Sequence, residues 1–245
     1  MTDNRAPSAS VPEVTIVLPV YQEAENIPEM IRRLRAAVPG VDVLVVDDDS
    51  PDMTWKIAED SGARVIRRVG ERGLASALRR GIGEARGDII GWMDADLSMP
   101  PEAVPRLLAA IGGGADVAVG SRYAPGGKDA RPFLRVFTSR VINRFANLLL
   151  PVKVRDYDSG FVAARRKVLE AVPLSTEGHG EYCIEFLCGA GLRGFRIDEV
   201  GYVFTDRTAG KSKSAGGPLV FARFGIDYFR RVLAVRRQCR RARTP

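Results

Sequence analysis

The chain has 245 residues, 45% hydrophobic and 27% charged, a composition that suits a globular protein and excludes collagen-like, low-complexity and disulfide-rich classes. Its three cysteines show no CxxC or other metal-ligand spacing, and no run of about 18 apolar residues offers a membrane span. The net charge of +7 sits at one end, because residues 219–245 hold eight arginines against Asp227 while the remainder is neutral.

The first twelve residues are polar and read as a disordered leader, not a signal peptide, and the sparse cysteines point to a reducing, cytoplasmic setting. Apolar strand-like runs follow at 14–20, 41–47, 63–67, 88–93 and 116–120. Helix-patterned segments lie between them at 25–38, 54–61, 74–86 and 102–112. Continuous apolar strands alternating with helices predict an α/β fold with a mostly parallel central sheet covered by helices. Ligands of such sheets gather beyond the carboxyl ends of the strands. "YQEAEN", "DDDSPD", "DADLS" and "SRYAPGG" follow the first, second, fourth and fifth runs, so all four fall on that rim. Further on, 131–151 spaces Phe133, Phe137, Val141 and Phe145 four apart, with Arg131, Arg135, Arg140 and Arg144 interleaved, as a basic amphipathic helix does. "SGFVAARR" reads as a strand, "EYCIEFLCGAGL" as a helix and "FRIDEVGYVF" as extended structure. The expected organisation is a leader over 1–12, one catalytic domain over 13–217 and a basic amphipathic C-terminal helix with its tail over 218–245.

Two phosphate-loop look-alikes fail on spacing. "GKS" at 210–212 has Thr205 where a Walker loop needs glycine, and "GIG" at 81–83 has Arg86 in place of the third dinucleotide-binding glycine. In "MDADLSMPP" the carboxylates of Asp94 and Asp96 stand two apart, on one face of an extended segment, and such like charges call for a cation. Hard oxygen ligands completed by substrate phosphates suit Mg²⁺ or Mn²⁺. Ser98 offers a further oxygen, or caps the next helix with Pro100 or Pro101 in its first turn. Pro19, Tyr21 and Glu23 can hold a nucleobase or simply open a helix. If the second strand runs on, Asp47 and Asp49 point to one side and Asp48 to the other, as acceptors for ribose hydroxyls and base N–H groups or as an Asx-type turn.

The stretches "LPVYQEAENI", "VVDDDSPD", "RGLASALRRGIGEARGD", "MDADLSMPPE", "GSRYAPGG", "RDYDSGF" and "FTDRTAGKSK" span about residues 14–215. In order and spacing they resemble family-two inverting glycosyltransferases of the dolichyl-phosphate (polyprenyl-phosphate) mannose synthase type. The resemblance implies a GT-A nucleotide-sugar fold, GDP-mannose as donor, a divalent metal and a polyprenyl-phosphate acceptor. It places Pro19, Tyr21, Glu23, Val46 and Asp48 around the nucleoside. Asp94, Ala95 and Asp96 then border the metal and diphosphate, with Ser98 in the metal shell. Arg122, Arg207 and Lys213 surround the donor and acceptor phosphates near Lys211, and with Asp96 they form the expected catalytic set. The family often has glutamine at the position of Ser98 and proline at that of Tyr157, whereas Asp156 keeps its acidic position.

A prenyl phosphate is already anionic near neutral pH and needs no strong base. A hydroxyl acceptor would need a carboxylate such as Asp156 or Glu185, since the one histidine, His179, reads as a solvated loop residue. The alternatives are a UDP-sugar donor or hydroxyl acceptor on the same fold, or a non-catalytic basic module for acidic lipid or nucleic acid. Basic charge without a recognition motif argues against nucleic acid. Residues 219–243 set Phe221, Phe224, Phe229, Val232 and Leu233 among arginines. They are expected either to lie, as a peripheral element, in the cytoplasmic face of a membrane or to pack on the body. A membrane-anchoring partner subunit is the other route to the bilayer.

Overall fold

In the computed structural model, which describes residues 13–175, 182–205 and 218–241, the predicted alternation holds through the first half. β1 (Val14–Val20), α1 (Ile27–Ala37), β2 (Asp42–Asp47), α2 (Thr54–Asp60), β3 (Arg64–Arg67), α3 (Leu74–Glu84) and β4 (Ile89–Trp92) follow one another. A 3₁₀ turn over Pro101–Ala103 then leads into α4 (Val104–Gly112) and β5 (Val117–Ser121). The second half adds β6 (Lys128–Asp129), α5 (Phe133–Leu149), β7 (Val162–Arg165), α6 (Arg166–Ala171), α7 (Tyr182–Leu192), β8 (Ile197–Gly201), β9 (Val203–Phe204) and α8 (Pro218–Arg241). β6, two residues long, and α6 were not foreseen, whereas β8 and β9 fall within the stretch read as extended.

The sheet has the order β3-β2-β1-β4-β7-β5-β8. Every strand is parallel to its neighbours except β7, which runs antiparallel between β4 and β5. Alternation along β1 builds the two core layers. Ile16 and Leu18 pack with Met30, Ile31 and Leu34 of α1 and Leu107 and Ile111 of α4, whereas Val17 belongs to the layer of Leu78, Phe186 and Leu187. Each fully buried aliphatic or Phe side chain contributes about 1.5–3 kcal/mol. The "GIG" stretch lies within α3, where Gly81 packs so close to the sheet that a Cβ would strike Val17 and Val46.

Of the two readings of residues 219–243, the described side chains take the packed one. Tyr228, Val232, Val235 and Cys239 form one stripe of α8 and are buried in the layer shared with α7. Phe229 meets Phe145 of α5 edge-on at 4.6 Å, and Arg231 is ion-paired with Glu185 of α7 at 2.7 Å. Leu233 stays exposed. Among the described side chains, α5 is the helix that turns an apolar stripe outward.

Beyond β5, the "APGG" loop runs against β8. A Cβ on Gly201 would collide with the backbone of Pro125, Gly126 and Gly127. Gly201→Ala is therefore expected to cost about 1–3 kcal/mol by overpacking, read as a lowered midpoint in urea denaturation, and to displace the loop that carries Arg122.

Candidate functional site

β1, β2, β4 and β5 end on one rim, and β7, being antiparallel, begins there. The loops after β1 and β2 are sewn together. Gln22 N donates to Ser50 Oγ (2.9 Å), Glu23 N to Thr54 Oγ1 (2.9 Å) and Ala24 N to Asp52 Oδ2 (3.2 Å). Glu23 also starts α1, its carbonyl accepting from Asn26 and Ile27 and its carboxylate from Asn26 Nδ2 (2.8 Å). Tyr21 and the partly buried Pro19 sit beside it. Val46 is fully buried, with its side chain beneath α3, so it supports the loop from below.

The three aspartates of "DDDSPD" do not alternate as a continuing strand would place them. β2 stops at Asp47, and Asp49 takes a left-handed φ of +57° that turns the chain. Asp47 Oδ1 accepts from Ser50 N (2.7 Å), its Oδ2 is buried without a partner among the described residues, and burial raises its pKa. Asp49 pairs with Arg67. Asp48 accepts on Oδ1 from Arg68 Nε (2.7 Å) and Nη2, and on Oδ2 from Gly73 N (2.8 Å). Arg68 is itself buried, and the sequence reading missed it because "RR" at a strand end looks like solvated charge.

Asp94 is half-buried, and Ala95, Asp96 and Ser98 are buried. Leu97 adopts φ +64°, which folds the loop so that Asp96 Oδ1 accepts from both Ser98 N (3.1 Å) and Ser98 Oγ (2.6 Å). The capping reading of Ser98 is corrected by this geometry. The 3₁₀ turn begins after Pro100 and α4 after Ala103, neither with a side-chain cap, and Pro101 opens the 3₁₀ turn. Ser98 instead fixes the rotamer of Asp96. Among the described residues no three His, Cys, Asp or Glu side chains form a self-sufficient metal cage. Two carboxylates at a strand end nevertheless match what Mg²⁺ or Mn²⁺ takes from a protein when substrate phosphates complete the shell. The carbonyl of Ser98 accepts from Thr205 N (3.2 Å), which ties the chain leaving β9 to this loop.

Arg122, 4% exposed, fills the space between the β5 loop and the start of β7. Its Nε donates to Asp156 Oδ2 (2.8 Å), Nη2 to Asp156 Oδ1 (2.6 Å) and Asp158 Oδ2 (3.2 Å), and its backbone N to Asp156 Oδ2 (2.9 Å). Nη1 lies 3.8 Å from Asp129 Oδ2, and Asp129 is paired with Arg131 at 2.7 Å. Burial works against the Arg122 charge, but Asp156 outweighs it and holds the pKa well above its ordinary value. Glu199 accepts from the backbone N–H groups of Arg155 (2.9 Å) and Asp156 (3.2 Å). Tyr157 is a core residue. Its N–H donates to Asn143 Oδ1 (2.7 Å) and its hydroxyl to Val152 O, with Cys188 Sγ 3.8 Å away. The expectations for Arg207, Lys211, Lys213 and His179 lie outside the described residues.

The sequence model of glycosyl transferase family 2 matches residues 15–172, which carry all of this rim except the segment after β8. The chain belongs to glycosyl transferase family 2. This glycosyltransferase is 41% identical over 214 residues to a dolichol-phosphate mannosyltransferase of Pyrococcus furiosus, covering 83% of the chain and 60% of that relative's length. It is 38% identical over 223 residues to a polyprenol monophosphomannose synthase of Mycolicibacterium smegmatis, covering 86% of the chain and 84% of the relative. Glucosyl-3-phosphoglycerate synthase from Mycobacterium tuberculosis, solved with Mn²⁺, UDP and glucosyl-3-phosphoglycerate, superposes with a TM-score of 0.70 at 23% identity over 91% of this chain and 80% of that one. The expected GT-A architecture is therefore the one the glycosyltransferase adopts.

Proposed function

We propose that this chain transfers mannose from GDP-mannose to the phosphate of a polyprenyl monophosphate, with inversion, at the cytoplasmic face of a membrane. The observation that carries the acceptor assignment is the state of the carboxylates. Asp156 is bound twice by the Arg122 side chain and once by its backbone, and Glu185 is held by Arg231, so both carboxylates named as general-base candidates for a hydroxyl acceptor are engaged in ion pairs. A phosphate oxygen needs no such base. The names of the archaeal and mycobacterial relatives support the same reading, both pointing to mannose and a lipid phosphate.

In the proposed reaction an acceptor phosphate oxygen forms a bond to the anomeric carbon as the bond from that carbon to the β-phosphate oxygen of GDP breaks. Asp94 and Asp96, the latter fixed by Ser98, would hold the divalent ion. Bound there with the donor, Mg²⁺ or Mn²⁺ supplies charge stabilisation to the departing diphosphate. Tyr21, Glu23 and Asp48 line the nucleoside side, with Pro19 and Val46 supporting them. Arg122 braces the β5 and β7 loops, and Arg207, Lys213 and the neighbouring Lys211 orient the phosphates. Thr205, two residues before Arg207 in the sequence, is bonded to the Ser98 carbonyl. Polyprenyl phosphate and polyprenol offered side by side separate the acceptor classes: only the phosphate is expected to receive sugar, and transfer to the alcohol would contradict the assignment.

Membrane attachment falls to α5. Phe133 (81% exposed), Leu134, Phe137, Val141 and Leu148 (78% exposed) form an outward apolar stripe beside the exposed Arg140 and Arg144. That is the pattern of a helix lying in an anionic interface. Among the described residues no helix is long and apolar enough to cross a membrane. Phe133→Ser with Phe137→Ser is expected to weaken sedimentation with anionic vesicles by on the order of tenfold or more, leaving the melting temperature in place. Wild-type protein that ignores such vesicles would move the attachment to a partner subunit.

A further inference from the structure

We propose that Arg72 selects the guanine of the donor, meeting the O6/N7 edge of the base while its face stacks on Tyr21. This inference rests on the reading of the donor as a GDP-sugar. The Arg72 guanidinium lies 4.3 Å from the centroid of the Tyr21 ring, on the rim corner where the loops after β1 and β2 meet. Its backbone is clamped from both sides by one carboxylate. Arg68 Nε (2.7 Å) and Nη2 reach Asp48 Oδ1, and Gly73 N reaches Asp48 Oδ2 at 2.8 Å. Arg68 also donates through Nη1 to Ser76 Oγ (3.0 Å) and through Nη2 to Gly73 O (3.1 Å), closing the segment on the start of α3. Gly73 sits at φ +138°, a conformation open to glycine and strained for other residues, and this turn lets its N–H point back at Asp48. The backbone of the segment is thus fixed while the Arg72 side chain is exposed.

An exposed cation over an aromatic ring is held weakly, and a nucleobase stacks on the same ring more strongly. An incoming base therefore displaces the guanidinium from Tyr21 without dismantling the segment. Guanine then presents O6 and N7, two adjacent acceptors that a guanidinium fork meets with parallel hydrogen bonds. Uracil offers no such adjacent acceptor pair. Asp48 enters this arrangement as a positioning residue, since its oxygens already hold Arg68 and Gly73.

Calorimetric titration of the full chain with GDP and with UDP, for wild type, Arg72→Gln and Arg72→Lys, tests the inference. Arg72→Gln is expected to weaken GDP by on the order of tenfold while changing UDP by less than about twofold, with a rise in KM for GDP-mannose larger than any change in kcat. Arg72→Lys should not restore GDP affinity, because an ammonium lacks the fork. A wild-type chain that prefers GDP, with Arg72→Gln keeping the full preference or weakening both nucleotides equally, overturns the role of Arg72 alone. A wild-type chain that prefers UDP overturns the GDP-sugar reading together with it.

Discussion

Replacing Asp94 and Asp96 together by asparagine is expected to lower sugar transfer by on the order of 10³-fold or more while leaving the protein folded. Asparagine keeps the size of each side chain and removes its charge. At position 96 the amide oxygen can still accept from Ser98 N and Oγ, the two bonds that hold the left-handed turn at Leu97. What disappears is the pair of hard anionic ligands at the end of β4. Activity with Mn²⁺ and the thermal shift produced by Mn²⁺ plus GDP check this together. The double variant should lose both, with an unliganded melting temperature near that of wild type. Retention of activity would remove the metal from the account.

The second large effect is on stability. Asp156→Ala removes the bidentate partner of the buried Arg122 guanidinium and leaves only Asp158 at 3.2 Å and the more distant Asp129, and breaking a buried ion pair costs about 3–5 kcal/mol. For a protein of this size that is a fall in melting temperature of roughly 10 °C. Arg122→Met combined with Asp156→Leu removes both charges and fills the volume, so it should recover much of the loss. Denaturant midpoints of Arg122→Met, Asp156→Leu and the double variant measure the coupling. If Asp156→Ala melts with wild type, the network around Arg122 is not what joins the β5 and β7 loops.

The strands and their order along the first half were legible because both-face burial writes a continuous apolar run, and each polar loop after such a run marks the rim. The direction of β7 was not legible. "SGFVAARR" carries no orientation, and only the antiparallel placement brings Asp156 and Asp158 back to Arg122. The burial of Arg68 against Asp48 was likewise hidden, since nothing local distinguishes it from the half-exposed Arg67 beside it. Ser98 was readable as a metal-shell oxygen or a cap, and the positive φ of Leu97 turns its hydroxyl onto Asp96. The segments forming α5 and α8 show the same basic amphipathic pattern. Packing, not periodicity, decides that Tyr228, Val232 and Val235 are covered while Phe133, Leu134 and Phe137 stay open.

The central claim is tested most directly by incubating the purified chain with labelled GDP-mannose, a polyprenyl phosphate in detergent or vesicles, and Mg²⁺ or Mn²⁺, then extracting the lipid phase. The account predicts label in an acid-labile β-linked mannosyl phospholipid, formed only when the ion is present. Label that stays in the aqueous phase with every prenyl phosphate tried, while a UDP-sugar or a hydroxyl acceptor reacts, would contradict it.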